Sequence, residues 1–205
     1  MSNHKKNNVE LIHHWATPIA ILQLDENLAD KIESIIVPQV KSLPVFKNLC
    51  ASDYHLRNQK DENGDLTAIK NQGICIEELI PEFCVKLQRY VQKYSEYTGI
   101  HYDKDRIPNF WTQDYVEHSI HPLHNHGLNG ISGTYYVRAN KQAGPIKFKN
   151  PNTMLDYVRL NDKKLHNDVT VYPEKGKLIL FPSYLKHEVV ASNANAVRTS
   201  ISFNY

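Results

Sequence analysis

The feature that most constrains the fold is a change in hydrophobic periodicity near Asn109. Before this residue, two segments repeat apolar residues at helical spacing, whereas after it apolar and polar residues alternate with a period of two. The alternation predicts strands near 109–116, 130–139, 145–149, 169–172, 176–181, 185–190 and 197–204. Many short strands after two leading helices are typical of an antiparallel sandwich or jelly roll with helices packed outside it. The predicted fold class is therefore mainly β with packing helices (α+β).

The first half of the chain is predicted to hold one strand and two helices. Residues 17–24 are apolar and β-branched, which favours a strand. A helix is predicted after it, with Asn27 as a candidate N-cap and Pro38 at or just beyond its end. Its apolar positions are Leu28, Ile32, Ile35 and Ile36.

The second helix is predicted from Pro81 to about Tyr97, with Gly99 as its C-cap. One face of this helix carries Phe83, Leu87, Tyr90, Val91 and Tyr94. Core packing against the sheet explains such an aromatic stripe better than ligand stacking does. Between the helices, Asn63-Gly64 is a hairpin turn signal among weak strand candidates.

Length and composition indicate one domain over residues 1–205, with a helical part at about 1–108 and a jelly-roll core at about 109–205. The chain has 205 residues, of which 41% are hydrophobic, enough to form a sizeable core. The formal net charge is only +2. A charge this small disfavours nucleic acid as a partner.

The cysteines and the N-terminus predict a cytoplasmic protein. The three cysteines are widely spaced and form no CxxC pair, which is typical of free thiols in a reducing compartment. The first residues are polar and precede no apolar segment that would indicate a secretory signal. No window of eighteen apolar residues predicts a transmembrane helix, so no membrane partner is expected.

Histidine is the most informative residue type for function. The chain has 11 histidines, and His124 and His126 stand at i and i+2, where an extended strand would point both imidazoles to one face. His187 shares its strand face with the apolar residues Leu185 and Val189, and a buried imidazole needs a partner. A polar turn and a satisfied core histidine would explain each residue singly. The three together favour a metal site.

The donor set limits the metal that could bind. Imidazoles without thiolates suit iron(II), zinc, copper or nickel. The facial triad of non-haem iron oxygenases has two histidines and one carboxylate, whereas this sequence has His126 in the position of the carboxylate. Asp114, Glu117 or Glu188 could supply a carboxylate instead, although Glu188 is expected on the strand face opposite to His187.

A candidate anion site lies in the last predicted strand. Arg198 and Ser200 fall on one face with Ser202 and Asn204, while the opposite face is formed by Val197, Thr199, Ile201 and Phe203. An arginine can form two parallel charge-assisted hydrogen bonds with a carboxylate, and a serine hydroxyl can add a third. A salt-bridged edge strand is the alternative interpretation.

Over residues 109–205 the chain resembles the 2-oxoglutarate/Fe(II)-dependent oxygenases common in bacteria and their phages. The motifs that carry this resemblance are His124-x-His126, Ser132-Gly133-Thr134-Tyr135-Tyr136-Val137, Gly176-Lys177-Leu178-Ile179-Leu180-Phe181-Pro182-Ser183 before His187, and Arg198-x-Ser200-x-Ser202-Phe203-Asn204. The resemblance implies a double-stranded β-helix (jelly roll) core with Fe(II) held by His124, His126 and His187. It also implies that Arg198, helped by Ser200, binds the distal carboxylate of 2-oxoglutarate.

The expected function is hydroxylation of a peptide or small-molecule substrate by O2 and 2-oxoglutarate, with release of succinate and CO2. One phenol of Tyr135 and Tyr136 could bind the cosubstrate, and alternation lets only one of them face inward. A three-histidine cupin-like metalloenzyme that does not use 2-oxoglutarate and a non-catalytic jelly-roll binding module are the alternatives. A nucleic-acid demethylase of the same fold is disfavoured by the weak charge.

Overall fold

The computed structural model describes residues 16–43, 45–46, 50–54, 73–105, 108–115, 117–127, 130–153 and 168–205. The strands in these ranges are β1 (Ala20–Gln23), β2 (Val45–Phe46), β3 (Cys50–Ser52), β4 (Asn109–Tyr115), β5 (His121–His124), β6 (Ile131–Ala139), β7 (Ile146–Phe148), β8 (Val169–Val171), β9 (Lys177–Pro182), β10 (His187–Val189) and β11 (Arg198–Asn204). The predicted strands after residue 109 are all present. One strand, β5, was missed by the period-two pattern because a proline and two histidines obscure it.

The strands form two antiparallel sheets. The large sheet has the order β1-β9-β6-β11-β4-β3-β2, and the small sheet has the order β5-β10-β7-β8. Neighbours in both sheets are distant in sequence: β11, for example, lies between β4 and β6. This topology agrees with the predicted jelly roll.

The first helix differs from its prediction at both ends. Helix α1 (Glu26–Val40) begins after Asp25, whose carboxylate accepts a hydrogen bond from the Leu28 amide at 3.0 Å. Asp25, and not Asn27, is therefore the N-cap. Pro38 lies inside the last turn instead of ending the helix, because only one backbone hydrogen bond is lost there.

Two further helices follow, α2 (Ile76–Leu79) and α3 (Pro81–Thr98), and α3 confirms the predicted second helix. Gly99 caps α3 with a φ of 73°, a left-handed conformation that glycine adopts without strain, and its amide donates to the Ser95 carbonyl.

The two faces of the large sheet have different partners. On one face, Ile201 and Phe203 of β11 pack in a single apolar cluster with Phe83, Leu87 and Val91 of α3. The opposite face looks toward the small sheet. A second apolar cluster fills part of the space between the sheets, with Phe148 and Phe181 among its members. The remaining space between the sheets is the candidate site.

Some predictions fall outside the described residues, among them the Asn63-Gly64 turn. Within the described residues, no helix is both long enough and apolar enough to cross a lipid bilayer.

Candidate active site

A cavity of about 320 Å³ lies between the two sheets. The large sheet contributes residues of β4 and β11 to its walls, and the small sheet contributes residues of β5 and β10. Four of the residues predicted from the sequence line this one cavity: His124, His126, His187 and Arg198. The structure therefore brings the two predicted sites, for metal and for anion, into a single space.

The three imidazoles can reach one metal ion. One nitrogen atom of each of His124, His126 and His187 lies within 4.8 Å of the corresponding atoms of the others. His124 and His187 face each other across the β5–β10 pair, and their ring centroids are 4.3 Å apart. The ring of His126 is 5.1 Å from each of them.

His126 reaches this group by a turn and not by strand alternation. Strand β5 ends at His124, so the expectation that one strand carries both residues was wrong. The side-chain oxygen of Asn125 accepts a hydrogen bond from the Gly127 amide, and Gly127 has a φ of 66°. The His126 amide donates to the Ser183 carbonyl at 2.8 Å. Together, these hydrogen bonds form a turn that places the His126 imidazole beside those of His124 and His187.

Backbone carbonyls hold two of these imidazoles in the tautomer that leaves Nε2 available to a metal. Nδ1 of His124 lies 2.7 Å from the Pro122 carbonyl oxygen, and Nδ1 of His187 lies 2.9 Å from that of Leu185. Because a carbonyl only accepts, each Nδ1 carries the proton and each Nε2 keeps its lone pair. Hydrogen bonds of this kind accompany most metal-binding histidines.

Burial keeps the three imidazoles neutral. Loss of solvation, together with the neighbouring histidines, lowers the pKa of His126 to about 3 and that of His187 to about 4. The pKa of His124 is lowered as well, also by burial. Neutral imidazoles fit a divalent metal ion at neutral pH.

The carboxylates that could have replaced a histidine have other partners. The Glu188 carboxylate lies 3.3 Å from Nζ of Lys149, and the Glu117 carboxylate lies 3.1 Å from Nε2 of His118. Asp114 is bound by Arg138 on the face of the large sheet away from the cavity. Within the described residues, the metal-binding group is composed of histidines alone.

Arg198 is the buried cation of the site. Its side chain is only 2% exposed, and its guanidinium carbon lies 4.4 Å from the ring centroid of Tyr115 and 5.1 Å from that of Tyr136. One terminal nitrogen donates to the Gly144 carbonyl at 3.2 Å, whereas Nε has no hydrogen-bond partner in the described part of the chain. No ion pair to Arg198 occurs among the described carboxylates. A buried guanidinium of this kind is stabilised by an anion.

Strand register separates the two tyrosines. Tyr136 pairs with Ser200 on the cavity side of the large sheet, near Arg198, whereas Tyr135 pairs with Ile201 on the helix side. The ring of Tyr135 packs 5.0 Å from that of Phe83 in the helical layer. The prediction that Tyr135 could bind the cosubstrate is therefore wrong, because this side chain packs in the core on the helix side of the sheet.

Ser200 and Tyr136, near Arg198, each carry a hydroxyl without a described hydrogen-bond partner. Both hydroxyls are buried. Neither residue lies directly on the cavity wall, which Arg198 alone reaches from this group. Their roles in binding a cosubstrate remain predictions.

Sequence reasoning missed the residues of β4 that line the cavity. Trp111, Gln113 and Tyr115 alternate toward the cavity and stand opposite Ser202, Ser200 and Arg198 of β11. The period-two pattern could have found them, since the same alternation placed Arg198. The ring of Trp111 lies 5.7 Å from that of His126 and 5.4 Å from that of Tyr54, so aromatic side chains flank the metal-binding group.

Comparison with known proteins finds a family similarity in the C-terminal part of the chain. Residues 109–204, which include the three histidines and Arg198, match the family model described as "Putative 2OG-Fe(II) oxygenase". Over these residues the chain is similar to the 2OG-Fe(II) oxygenases, which are oxidoreductases. The family implies Fe(II) as the metal and 2-oxoglutarate as the cosubstrate, and the three histidines and the buried arginine fit both. None of the curated proteins matches the sequence.

Solved structures share the fold. A prolyl-4-hydroxylase from Pseudomonas putida aligns over 92% of this chain and 91% of its own, with a TM-score of 0.52 and 13% identity. A prolyl hydroxylase from Trichoplax adhaerens, in complex with a hypoxia inducible factor peptide fragment, aligns over 91% and 82%, with a TM-score of 0.50 and 15% identity. These likenesses confirm the jelly-roll fold. An oxidoreductase of the 2OG-Fe(II) oxygenase family from Burkholderia pseudomallei is matched over 46% of this chain and 40% of its own, with a TM-score of 0.36 and 15% identity.

Proposed function

We propose that this protein is a dioxygenase that hydroxylates a small-molecule or peptide substrate and releases succinate and CO2 from 2-oxoglutarate. The observation that carries the proposal is the pairing of two features in one cavity. Three neutral imidazoles converge at one place, and a buried guanidinium with an unused N–H lies at another. A 2-oxo diacid has a chelating end for the metal and a carboxylate for the arginine.

Each part of the site then has a defined task. His124, His126 and His187 would hold Fe(II). Arg198 fixes the distal carboxylate, helped by the hydroxyls of Ser200 and Tyr136. When bound, Fe(II) supplies the redox chemistry by which O2 converts a C–H bond to C–OH while 2-oxoglutarate loses CO2 and becomes succinate. The chain contributes orientation and exclusion of water.

The aromatic side chains beside His126 favour a neutral, apolar group as the part of the substrate that reaches the metal. Trp111 is almost fully buried, and Tyr54, which is 40% exposed, packs edge-on against it. Arg198 is the one charged side chain among the described residues of the cavity wall, since the histidines there are neutral. A substrate therefore finds apolar contact near the metal-binding group.

The test is to follow 2-oxoglutarate by ¹H NMR in aerated protein with Fe(II) and ascorbate, with and without mixtures of small metabolites and peptides. We expect conversion to succinate that a true substrate accelerates, and no conversion with His187→Ala. Intact 2-oxoglutarate despite bound Fe(II), under every mixture, would overturn the proposal.

The all-histidine donor set is the observation that favours the second candidate, a three-histidine metalloenzyme that does not use 2-oxoglutarate. This alternative leaves Arg198 without a function in the cavity. It predicts oxygen consumption that is independent of 2-oxoglutarate, which an oxygen electrode would detect in the same samples.

A further inference from the structure

A fourth histidine, His121, lines the same cavity but does not belong to the metal-binding group. Its ring stacks on that of His124, with centroids 4.3 Å apart and planes inclined by 35°. In the small sheet His121 pairs with Val189, next to the pair that His124 forms with His187. Its position beside the metal-binding group, in a cavity that also contains Arg198, requires an explanation.

The hydrogen bonds of His121 place its proton differently from those of its neighbours. The Gln113 side-chain nitrogen and the Tyr115 hydroxyl each lie 3.3 Å from Nδ1 of His121. The side-chain oxygen of Gln113 accepts a hydrogen bond from Ser202 at 3.2 Å, and its NH2 group points at the imidazole. An amide NH2 only donates, so Nδ1 is the acceptor and Nε2 carries the proton.

This arrangement is the reverse of the one in the metal-binding group. Carbonyl oxygens place the protons of His124 and His187 on Nδ1 and leave Nε2 as a lone pair. In His121 the side chains of β4 do the opposite, so Nε2 is an N–H donor and not a metal ligand. No described residue accepts a hydrogen bond from this Nε2.

We propose that His121 is a second recognition residue for the cosubstrate and donates a hydrogen bond from Nε2 to one of its carboxylate oxygens. The inference rests on the proposed function, because a 2-oxo diacid would lie in the cavity that His121 shares with the metal-binding group and Arg198. A neutral donor recognises a carboxylate without adding a second positive charge near the metal. Gln113 and Tyr115 are then positioning residues, since they act by fixing the tautomer of His121.

The tautomer can be observed directly in metal-free protein. Long-range ¹H–¹⁵N correlation spectra of ¹⁵N-histidine-labelled protein distinguish the two neutral tautomers, and the spectrum of His121→Gln identifies the signal of His121 by its loss. We expect a protonated Nε2 and an unprotonated Nδ1. A proton on Nδ1 would overturn the proposal, since Nε2 could not then donate as a neutral group.

The contact can be tested by calorimetric titration of 2-oxoglutarate into protein loaded with Mn(II), with no turnover involved. His121→Met removes the donor and His121→Gln keeps one at similar reach. We expect binding of 2-oxoglutarate to weaken roughly 10- to 100-fold in His121→Met, as for loss of a hydrogen bond to a charged group, and to be largely retained in His121→Gln. Mn(II) affinity should be unchanged in both. The control is His101→Met, at an exposed histidine outside the cavity.

The outcomes separate this inference from the proposed function. If wild-type protein binds Mn(II) but not 2-oxoglutarate, the proposed function fails. If wild type binds 2-oxoglutarate and both variants bind it equally well, or equally poorly, only the role of His121 as a donor is refuted. Loss of Mn(II) affinity in either variant would show that His121 supports the metal site itself and would also refute the inference.

Discussion

The metal-binding group and the surroundings of Arg198 share one cavity but differ in how their polar atoms are satisfied. Nδ1 of His124 and of His187 is fixed by a backbone carbonyl before any metal binds. Around Arg198, by contrast, the guanidinium Nε and two neighbouring hydroxyls are buried without a described partner. The histidines are thus preorganised for a cation, whereas the arginine has one carbonyl and two aromatic rings as neighbours but no described charge partner.

The largest expected effect is on the metal-binding side. His187→Ala removes one of three ligands from a group that has no carboxylate among the described residues, so Fe(II) affinity should fall by more than the roughly 10- to 100-fold typical of losing a supporting residue. Competition with a chromophoric chelator measures this affinity under anaerobic conditions. His101→Ala, at an exposed position, is the control, and wild-type affinity in His187→Ala would exclude the triad.

The contrast between satisfied and unsatisfied cations can be tested with two arginines of the large sheet. Arg138 bonds to Thr199 at 2.7 Å and to Asp114 at 3.3 Å, so Arg138→Met leaves a half-buried carboxylate without its cation and should destabilise the fold by roughly 1–3 kcal/mol. Arg198→Met removes a buried cation that has no described acid partner, so ligand-free stability should be unchanged or higher by about 1 kcal/mol.

Chemical denaturation of the metal-free variants measures both changes. The comparison also extends to ligand: 2-oxoglutarate should raise the melting temperature of Mn(II)-loaded wild type and of Arg138→Met, but not that of Arg198→Met. Equal destabilisation by the two substitutions would show that Arg198 is already paired in the empty cavity.

The smallest expected effect distinguishes the two adjacent tyrosines. Tyr136→Phe removes a hydroxyl on the Arg198 side and should weaken 2-oxoglutarate binding about 10-fold, the low end of the range for a hydrogen bond to a charged group. Tyr135→Phe removes a hydroxyl on the helix side and should leave binding unchanged. Calorimetry on Mn(II)-loaded protein measures both, and a larger effect from Tyr135→Phe would reverse the assignment.

Much of the large sheet could be predicted from sequence because its strands alternate cleanly. The pattern in β11 placed Arg198 and Ser200 on one face and Ile201 and Phe203 on the other, as the structure shows. The choice between Tyr135 and Tyr136 could not be made, since both faces of β6 are buried and the pattern there carries no polarity. The register with β11 determines which tyrosine faces the cavity side, since Tyr136 pairs with Ser200 and Tyr135 with Ile201.

The small sheet was harder to predict because its site residues depend on non-local contacts. His126 is placed by a turn at Asn125 and a hydrogen bond to Ser183, which strand alternation does not describe. The tautomer of His121 depends on Gln113, which lies on the facing sheet. Asn125 with Gly127 was the local signal for the turn, whereas no pattern along the chain indicates a contact between sheets.

The most direct test of the account is an anaerobic titration of metal-free protein, first with Fe(II) and then with 2-oxoglutarate, in wild type and in Arg198→Ala. We expect a visible metal-to-ligand charge-transfer band in wild type. In Arg198→Ala the band should require far more 2-oxoglutarate, since breaking a buried charge pair costs about 2–5 kcal/mol, or roughly 30- to 5,000-fold in affinity. Fe(II) bound without any band, or the same titration curve in both proteins, would contradict the pairing of histidine triad and arginine in one cosubstrate site.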